Sequence, residues 1–175
     1  MEICGERIAL APFDESDRAL FIDMSMSAEL MKHVYEPMTL HQAEAAFQVK
    51  SQPWSSDSDQ WLSMSITQTE NQEKLGNMGL RIINQEAKIA EIGYLLKQDA
   101  HGKGYITEAI TLLKQFAFDE LQMNKLVAYC STENIPSYKS LERSGFLREG
   151  CLRQNTSVNG RYVDDFAYGL CRADQ

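Results

Sequence analysis

Long apolar runs are missing from this chain, and no stretch of its 175 residues approaches the length needed to cross a bilayer as a helix. Histidine and cysteine are scarce, with 3 and 4 copies, and Cys4, Cys130, Cys151 and Cys171 lie far apart in sequence. With no CxxC pair and no HExxH segment, a metal centre is not expected. A chain of this length buries enough surface to fold without disulfide staples, so the thiols are expected free in a reducing cytoplasm. The opening Met1-Glu2-Ile3-Cys4-Gly5-Glu6 also lacks the basic-then-apolar order of a secretory signal. Basic residues are outnumbered, 17 against 25, for a formal net charge of −8. That balance speaks against a nucleic-acid footprint, which requires clustered Lys and Arg. It suits a cationic partner, or serves solubility alone. Neither repeats nor low-complexity segments divide the chain, and the length fits one domain over 1–175.

What is present is an ordered succession of periodicities. Ile8, Leu10 and Pro12 read as a short strand, and Asp14 with Asp17 as the start of a helix carrying Leu20, Phe21 and Met24. A short helix is expected over Ala28–Val34, ended by Glu36-Pro37. Thr39 and Gln42 form a capping-box pattern ahead of Ala43, Ala46 and Phe47. From Trp61 the period shortens to 2, through Trp61–Thr67, Met78–Ile82 and Ile89–Leu96, with short polar turns that favour an antiparallel meander. Helical spacing returns from Tyr105 to Ala117, and Leu126–Tyr129 is a compact strand reached by a parallel crossover. A helix over Ile135–Arg143 and strands at Phe146–Arg153 and Tyr162–Leu170, turned at Asn159-Gly160, complete a mixed α/β (α+β) pattern.

Between the third meander strand and the next helix lies Ala100-His101-Gly102-Lys103-Gly104-Tyr105-Ile106-Thr107-Glu108-Ala109. Closely spaced glycines allow tight turns and close ligand approach, and a helix N-terminus offers free amides and a positive dipole end. Lys103 and His101 add positive charge, so the segment suits an anion such as a pyrophosphate. It is neither GxxxxGK[ST] nor GxGxxG, and taken alone it is equally a plain turn into a helix.

The loop has company. Ala90–Leu96 followed by His101–Ala109, then Asn134-Ile135-Pro136-Ser137, Leu141–Phe146, Glu149–Arg153 and Asn159–Asp164, resemble in order the GNAT superfamily of N-acetyltransferases. Within it they resemble the branch that acetylates ribosomal-protein amino termini at alanine or serine. Two positions depart from the family's loop, which reads Gln/Arg-x-x-Gly-x-Gly/Ala: His101 stands first and Ile106 last.

The resemblance implies a fold whose central strands splay apart, helices on both faces, and acetyl-CoA as acyl donor. It implies that backbone groups of Tyr94, Leu95 and Leu96 pair with the pantetheine arm, and that His101, Gly102, Lys103, Gly104, Tyr105, Ile106 and Thr107 hold the pyrophosphate. Asn134 would touch the arm as well as cap its helix. A primary amine would attack the thioester directly, through a tetrahedral intermediate. Glu91 is the candidate base through a water, with a strand-surface or substrate-anchoring role as its alternative. The tyrosine that many relatives place seven residues after the asparagine is Leu141 here, and Ser137 is the candidate donor to the leaving thiolate. The adjacent Tyr138 points elsewhere on the helix. Glu108 is read as stabilising its helix terminus, and Trp54, Trp61 and Tyr35 as acceptor-pocket or core residues.

The acceptor favoured by the resemblance is a protein N-terminal amine. A polyamine or another small amine, a non-catalytic acyl-CoA sensor, and a purely structural partner-binding domain are the alternatives. No direct nucleic-acid or membrane partner is expected, and the oligomeric state is open, a homodimer being common in that family.

Overall fold

The computed structural model describes every residue from Met1 to Gln175. Its centre is an eight-stranded sheet in the order β1-β2-β3-β4-β5-β6-β8-β7. The strands are β1 (Ile3–Cys4), β2 (Ile8–Pro12), β3 (Leu62–Gln68), β4 (Lys74–Asn84), β5 (Ile89–Leu96), β6 (Lys125–Ser131), β7 (Leu147–Val158) and β8 (Arg161–Cys171). The helices are α1 (Arg18–Met26), α2 (Ala28–Met31), α3 (Leu40–Lys50), α4 (Tyr105–Gln115) and α5 (Ile135–Arg143).

Local chemistry explains most of the element boundaries. Asp14 and Asp17 exchange side-chain and backbone hydrogen bonds ahead of α1, and Thr39 and Gln42 do the same ahead of α3. Each capping box thereby satisfies amides that an open helix end would leave bare. Asn159 and Gly160, at φ 52 and 70, turn β7 into β8 as a tight hairpin of the primed kind. Helix α2 is shorter than its apolar spacing suggests, ending at Met31, and α4 runs into a π-helical turn at Phe116–Glu120. Strand β1, too short for any periodic signal, is held by pairing Ile3 with Leu10 and Cys4 with Ala9.

Alternation along the strands gives the sheet two unlike faces. On one, Met64, Met78, Leu80, Ala90, Ile92, Leu126, Ala128, Tyr168 and Leu170 join Ile110 and Leu113 of α4 and Leu141 of α5 in the main core. The opposite face carries small or polar residues, among them Ser63, Ser65, Gly79 and Gly93. There the Trp61 ring lies on a shelf made by the paired Gly79 and Gly93, and Lys50 from the end of α3 stands over the ring, 5.7 Å from its centroid. Phe13, Phe21 and Phe47 form a separate small core where α1 and α3 meet.

One pairing is incomplete. Parallel β5 and β6 are joined only through Ile89–Lys125, Ala90–Leu126 and Glu91–Val127. Beyond Glu91, β5 stays with β4 as far as Leu96–Gly76, while β6 follows β8 as far as Ser131–Asp165. The sheet therefore opens into a wedge toward the carboxyl ends of these two strands.

Candidate active site

Register decides which groups face the wedge. The Lys97 amide donates to the Leu75 carbonyl at 2.9 Å, which places the hydrogen-bonded positions of the β4–β5 ladder at Leu95, Gly93 and Glu91. The backbone groups of Leu95 are thus directed to β4, and those of Ile92, Tyr94 and Leu96 turn toward the open edge. At Tyr94 that edge keeps unused donors and acceptors, a template for an extended ligand, while the Leu96 carbonyl is taken up by the His101 ring.

The loop after β5 stands at the wide end of the wedge. Gly102 and Gly104 adopt φ of 73 and 82, conformations that L side chains resist. The first α4 amide with a backbone acceptor is that of Glu108, donating to the Gly104 carbonyl at 3.2 Å. The backbone N–H groups from Gly102 through Thr107 have no acceptor in the chain. A side chain built on Gly102 would meet nothing within 4 Å, so the space beside this residue is open. Free amides in succession at a helix N-terminus form an anion cradle.

His101 serves this cradle indirectly. Its Nε2 lies 2.9 Å from the Leu96 carbonyl, so the ring ties the loop to the end of β5. Lys103 remains exposed and takes part in no ion pair, while Ile106 packs against the main core, as its side chain favours. The residue that sequence reading underrated is Arg7. Its Nη1 donates to the Lys103 carbonyl at 2.8 Å, and its guanidinium lies 5.0 Å from the Tyr105 ring centroid. Glu108 in turn accepts from the Arg7 amide and Nε and from the Ile8 amide, so it braces β2 against α4 rather than only meeting its own helix dipole. Burial raises the Glu108 carboxyl, but the hydrogen bonds and charge of Arg7 outweigh it and leave the group below its ordinary value.

At the wedge wall, Tyr94 reaches α5. Its hydroxyl lies 3.1 Å from the Ser137 carbonyl and 3.2 Å from the Ser137 hydroxyl. Burial raises the Tyr94 phenol well above its usual range, so it stays a donor. Cys130, also in contact with Ser137, is pushed up by burial to about 11 and is no nucleophile at neutral pH. Asn134 occupies the N-cap of α5, yet its side chain makes no capping bond; its carbonyl receives the Ser137 and Tyr138 amides instead. Its carboxamide is therefore free to bind a ligand.

Glu91 sits at the narrow end of the wedge, on the face of Trp61. Its Oε2 accepts from Arg81 Nη2 at 2.7 Å across the β4–β5 pair, and the Arg81 guanidinium lies 5.0 Å from the Trp61 ring centroid. Thus the structure brings Tyr94, Leu96, Ser137 and the loop amides around one opening, with Glu91 at its apex. Trp54 packs against the main core. No group of His, Cys, Asp and Glu side chains has the arrangement of a metal site, and no helix is long and apolar enough to cross a membrane.

Comparison with known proteins agrees with this geometry. The family model described as "Acetyltransferase (GNAT) domain" matches residues 7–147. The N-acetyltransferase p20 of Bacillus licheniformis is 36% identical over 110 residues, 63% of this chain and 62% of that protein. The ribosomal-protein-serine acetyltransferase of Escherichia coli is 33% identical over 92 residues, 53% of this chain and 51% of the relative. In both cases the chain spans less than two thirds of the relative's length. The structure of spermidine N-acetyltransferase from Vibrio cholerae in complex with CoA and spermine superposes with a TM-score of 0.85 at 19% identity. That match covers 97% of this chain and 98% of the other, and shows a common fold.

Proposed function

This chain belongs to the GNAT acetyltransferase family, and on that premise we propose that it transfers an acetyl group from acetyl-CoA to a primary amine. The observation that carries the reading is the wedge beyond Glu91 and Val127, opening beside the free amides of Gly102–Thr107. An extended arm ending in a pyrophosphate fits both at once. The amides of Gly102–Thr107, with Lys103, would hold the phosphates, and the open edge at Tyr94 and Leu96, with the Asn134 carboxamide, would hold the arm. Acetyl-CoA, when bound, supplies an acyl group activated as a thioester.

The protein's own residues handle the protons. An alkyl amine is mostly protonated at neutral pH and must lose a proton before it can attack. Glu91 has Oε2 committed to Arg81, which leaves Oε1 to accept that proton through a water. Ser137 carries a hydroxyl at the wedge wall to hydrogen-bond the thiolate to be released, and Tyr94 orients it. Leu141, buried in the core, has no such proton.

For the acceptor, similarity to the Escherichia coli ribosomal-protein-serine acetyltransferase favours a protein N-terminal amine. Likeness to the Vibrio cholerae spermidine enzyme keeps a polyamine as the second reading. Calorimetry with CoA, then thiol release and product mass spectrometry with peptides beginning in Ser or Ala beside spermidine, tests both levels. Absence of CoA binding sinks the acetyltransferase reading. Acetylation of spermidine but of no peptide sinks the N-terminal one.

A further inference from the structure

The chain has just two buried carboxylates, Asp17 and Asp165, 4% and 6% exposed. Asp17 has its counter-charge, with Lys74 Nζ 2.8 Å from Oδ1. Asp165 has none. Its Oδ2 accepts from Asn155 Nδ2 at 2.9 Å and from the Thr156 hydroxyl, both neutral donors. Its Oδ1 accepts from nothing, yet it is not sealed from solvent. No cation forms an ion pair with it: Arg153 of β7 is exposed and makes no ion pair at all, and two other arginines nearby are committed elsewhere. Arg161 holds Glu133 through both guanidinium nitrogens, at 3.0 and 2.8 Å, and Arg148 lies over the Phe166 ring, 3.7 Å from its centroid. A carboxylate taken out of water with no positive partner is unfavourable, and such groups are kept where something else supplies the charge.

The position of Asp165 indicates what that is. It pairs with Ser131, the last residue of β6, well past Val127 where β5 and β6 part. Alternation along β8 turns it away from Phe166 and Tyr168, which pack toward Tyr138 and the α4–α5 core. The loop of free amides heads α4, on that core side. A donor held by the loop and Asp165 therefore stand on opposite sides of the opening. The register break in β7 between Leu152 and Thr156, with Gln154 at φ 50, is what delivers Asn155 and Thr156 to the Asp165 carboxylate.

We infer that Asp165 Oδ1 is the anchor for the ammonium group of the acceptor, binding it as a cation at the Ser131 end of the opening, four residues along β6 from the level of Glu91. The inference rests on the acetyltransfer reading and deepens it: the acceptor site selects a charged amine through a carboxylate that the empty protein leaves without a partner. A peptide N-terminus and a polyamine share this chemistry.

Asp165→Asn keeps the shape and the acceptor oxygen for Asn155 and Thr156, and removes the charge. With acetyl-CoA and peptides beginning in Ser or Ala, or spermidine, as probes, the acceptor KM is expected to rise about tenfold or more, the loss of one charge-assisted hydrogen bond. The Kd for CoA, by calorimetry, should stay unchanged, and kcat should move far less than KM. Thr156→Val, which leaves the charge in place, should shift KM much less. If Asp165→Asn does not fold in thermal denaturation, Asp165→Glu carries the test, since its longer arm displaces the carboxylate and should raise acceptor KM alone. An unmoved acceptor KM overturns the anchor, as does a CoA-binding wild type that acetylates no primary amine among these probes. Failure of the wild type to bind CoA would overturn the acetyltransfer reading and the anchor with it. Which probe the wild type acetylates separates the peptide from the polyamine.

Discussion

The Glu108 carboxylate receives both the backbone amide and the Nε of Arg7, at 2.8 and 2.9 Å, across 101 residues of sequence. The same arginine donates to the Lys103 carbonyl and covers the Tyr105 ring, so the cradle is clamped from outside by a residue at the start of β2.

Arg7→Ala should therefore loosen the loop more than the fold. The side chain is 47% exposed, so its ion pair with Glu108 contributes at most about 1 kcal/mol to stability. Losing the Lys103 clamp should raise the Kd for CoA about tenfold, roughly the value of one hydrogen bond from a charged donor. Calorimetry and thermal denaturation on the same samples check this. A CoA affinity equal to wild type would mean that the loop holds its shape without Arg7.

The depressed Glu108 carboxyl links this brace to pH. A group whose folded pKa lies below its ordinary value of 4.5 stabilises the fold fully above that value. The contribution then fades as pH falls through the folded pKa, below which the carboxyl is protonated in both states. Urea unfolding of wild type and Glu108→Gln should differ most near neutrality and converge below pH 4.5. A gap that stays constant down to pH 3 would show that the hydrogen-bond geometry, and not the charge, is what matters.

The Trp61 shelf makes a prediction that separates two neighbouring glycines. A Cβ on Gly79 would lie 3.0 Å from Trp61 Cε3 and 3.1 Å from the Leu62 carbonyl, whereas one on Gly93 would lie 3.7 Å from Trp61. Gly79→Ala should cost about 1–3 kcal/mol, as overpacking does, because backbone cannot yield. Gly93→Ala should be close to neutral. Denaturant midpoints decide, and equal losses at both positions would refute the shelf.

What the sequence made legible follows the range of the interactions. The capping boxes at Asp14 and Thr39, the Asn159-Gly160 turn and the glycines of the loop are local chemistry, and each stands where its spacing places it. The free amides were legible too, because a glycine-headed helix after a strand leaves them no partner. The braces were not. Arg7 with Glu108, His101 with Leu96, and Tyr94 with Ser137 are contacts that only the folded sheet creates, and no periodicity announces them. Asp165 was hidden for a related reason: its burial and its missing cation depend on a bulge in β7 that shows no break in the alternating pattern.

Tyr94 and Ser137 give the sharpest test of the wedge wall. The Tyr94 hydroxyl meets Ser137 through both the carbonyl and the side-chain oxygen, while only the backbone of Tyr94 faces the open edge. Tyr94→Phe should therefore leave the Kd for CoA unchanged and lower kcat about tenfold, with about 1 kcal/mol lost in stability from the unpaired partner. Ser137→Ala should lower kcat at least as far. If Tyr94 acts by orienting Ser137, the double variant should be no slower than Ser137→Ala alone, since the two changes remove one interaction. Losses that multiply in the double variant would give Tyr94 a role of its own and leave Ser137 without the positioning partner assigned to it.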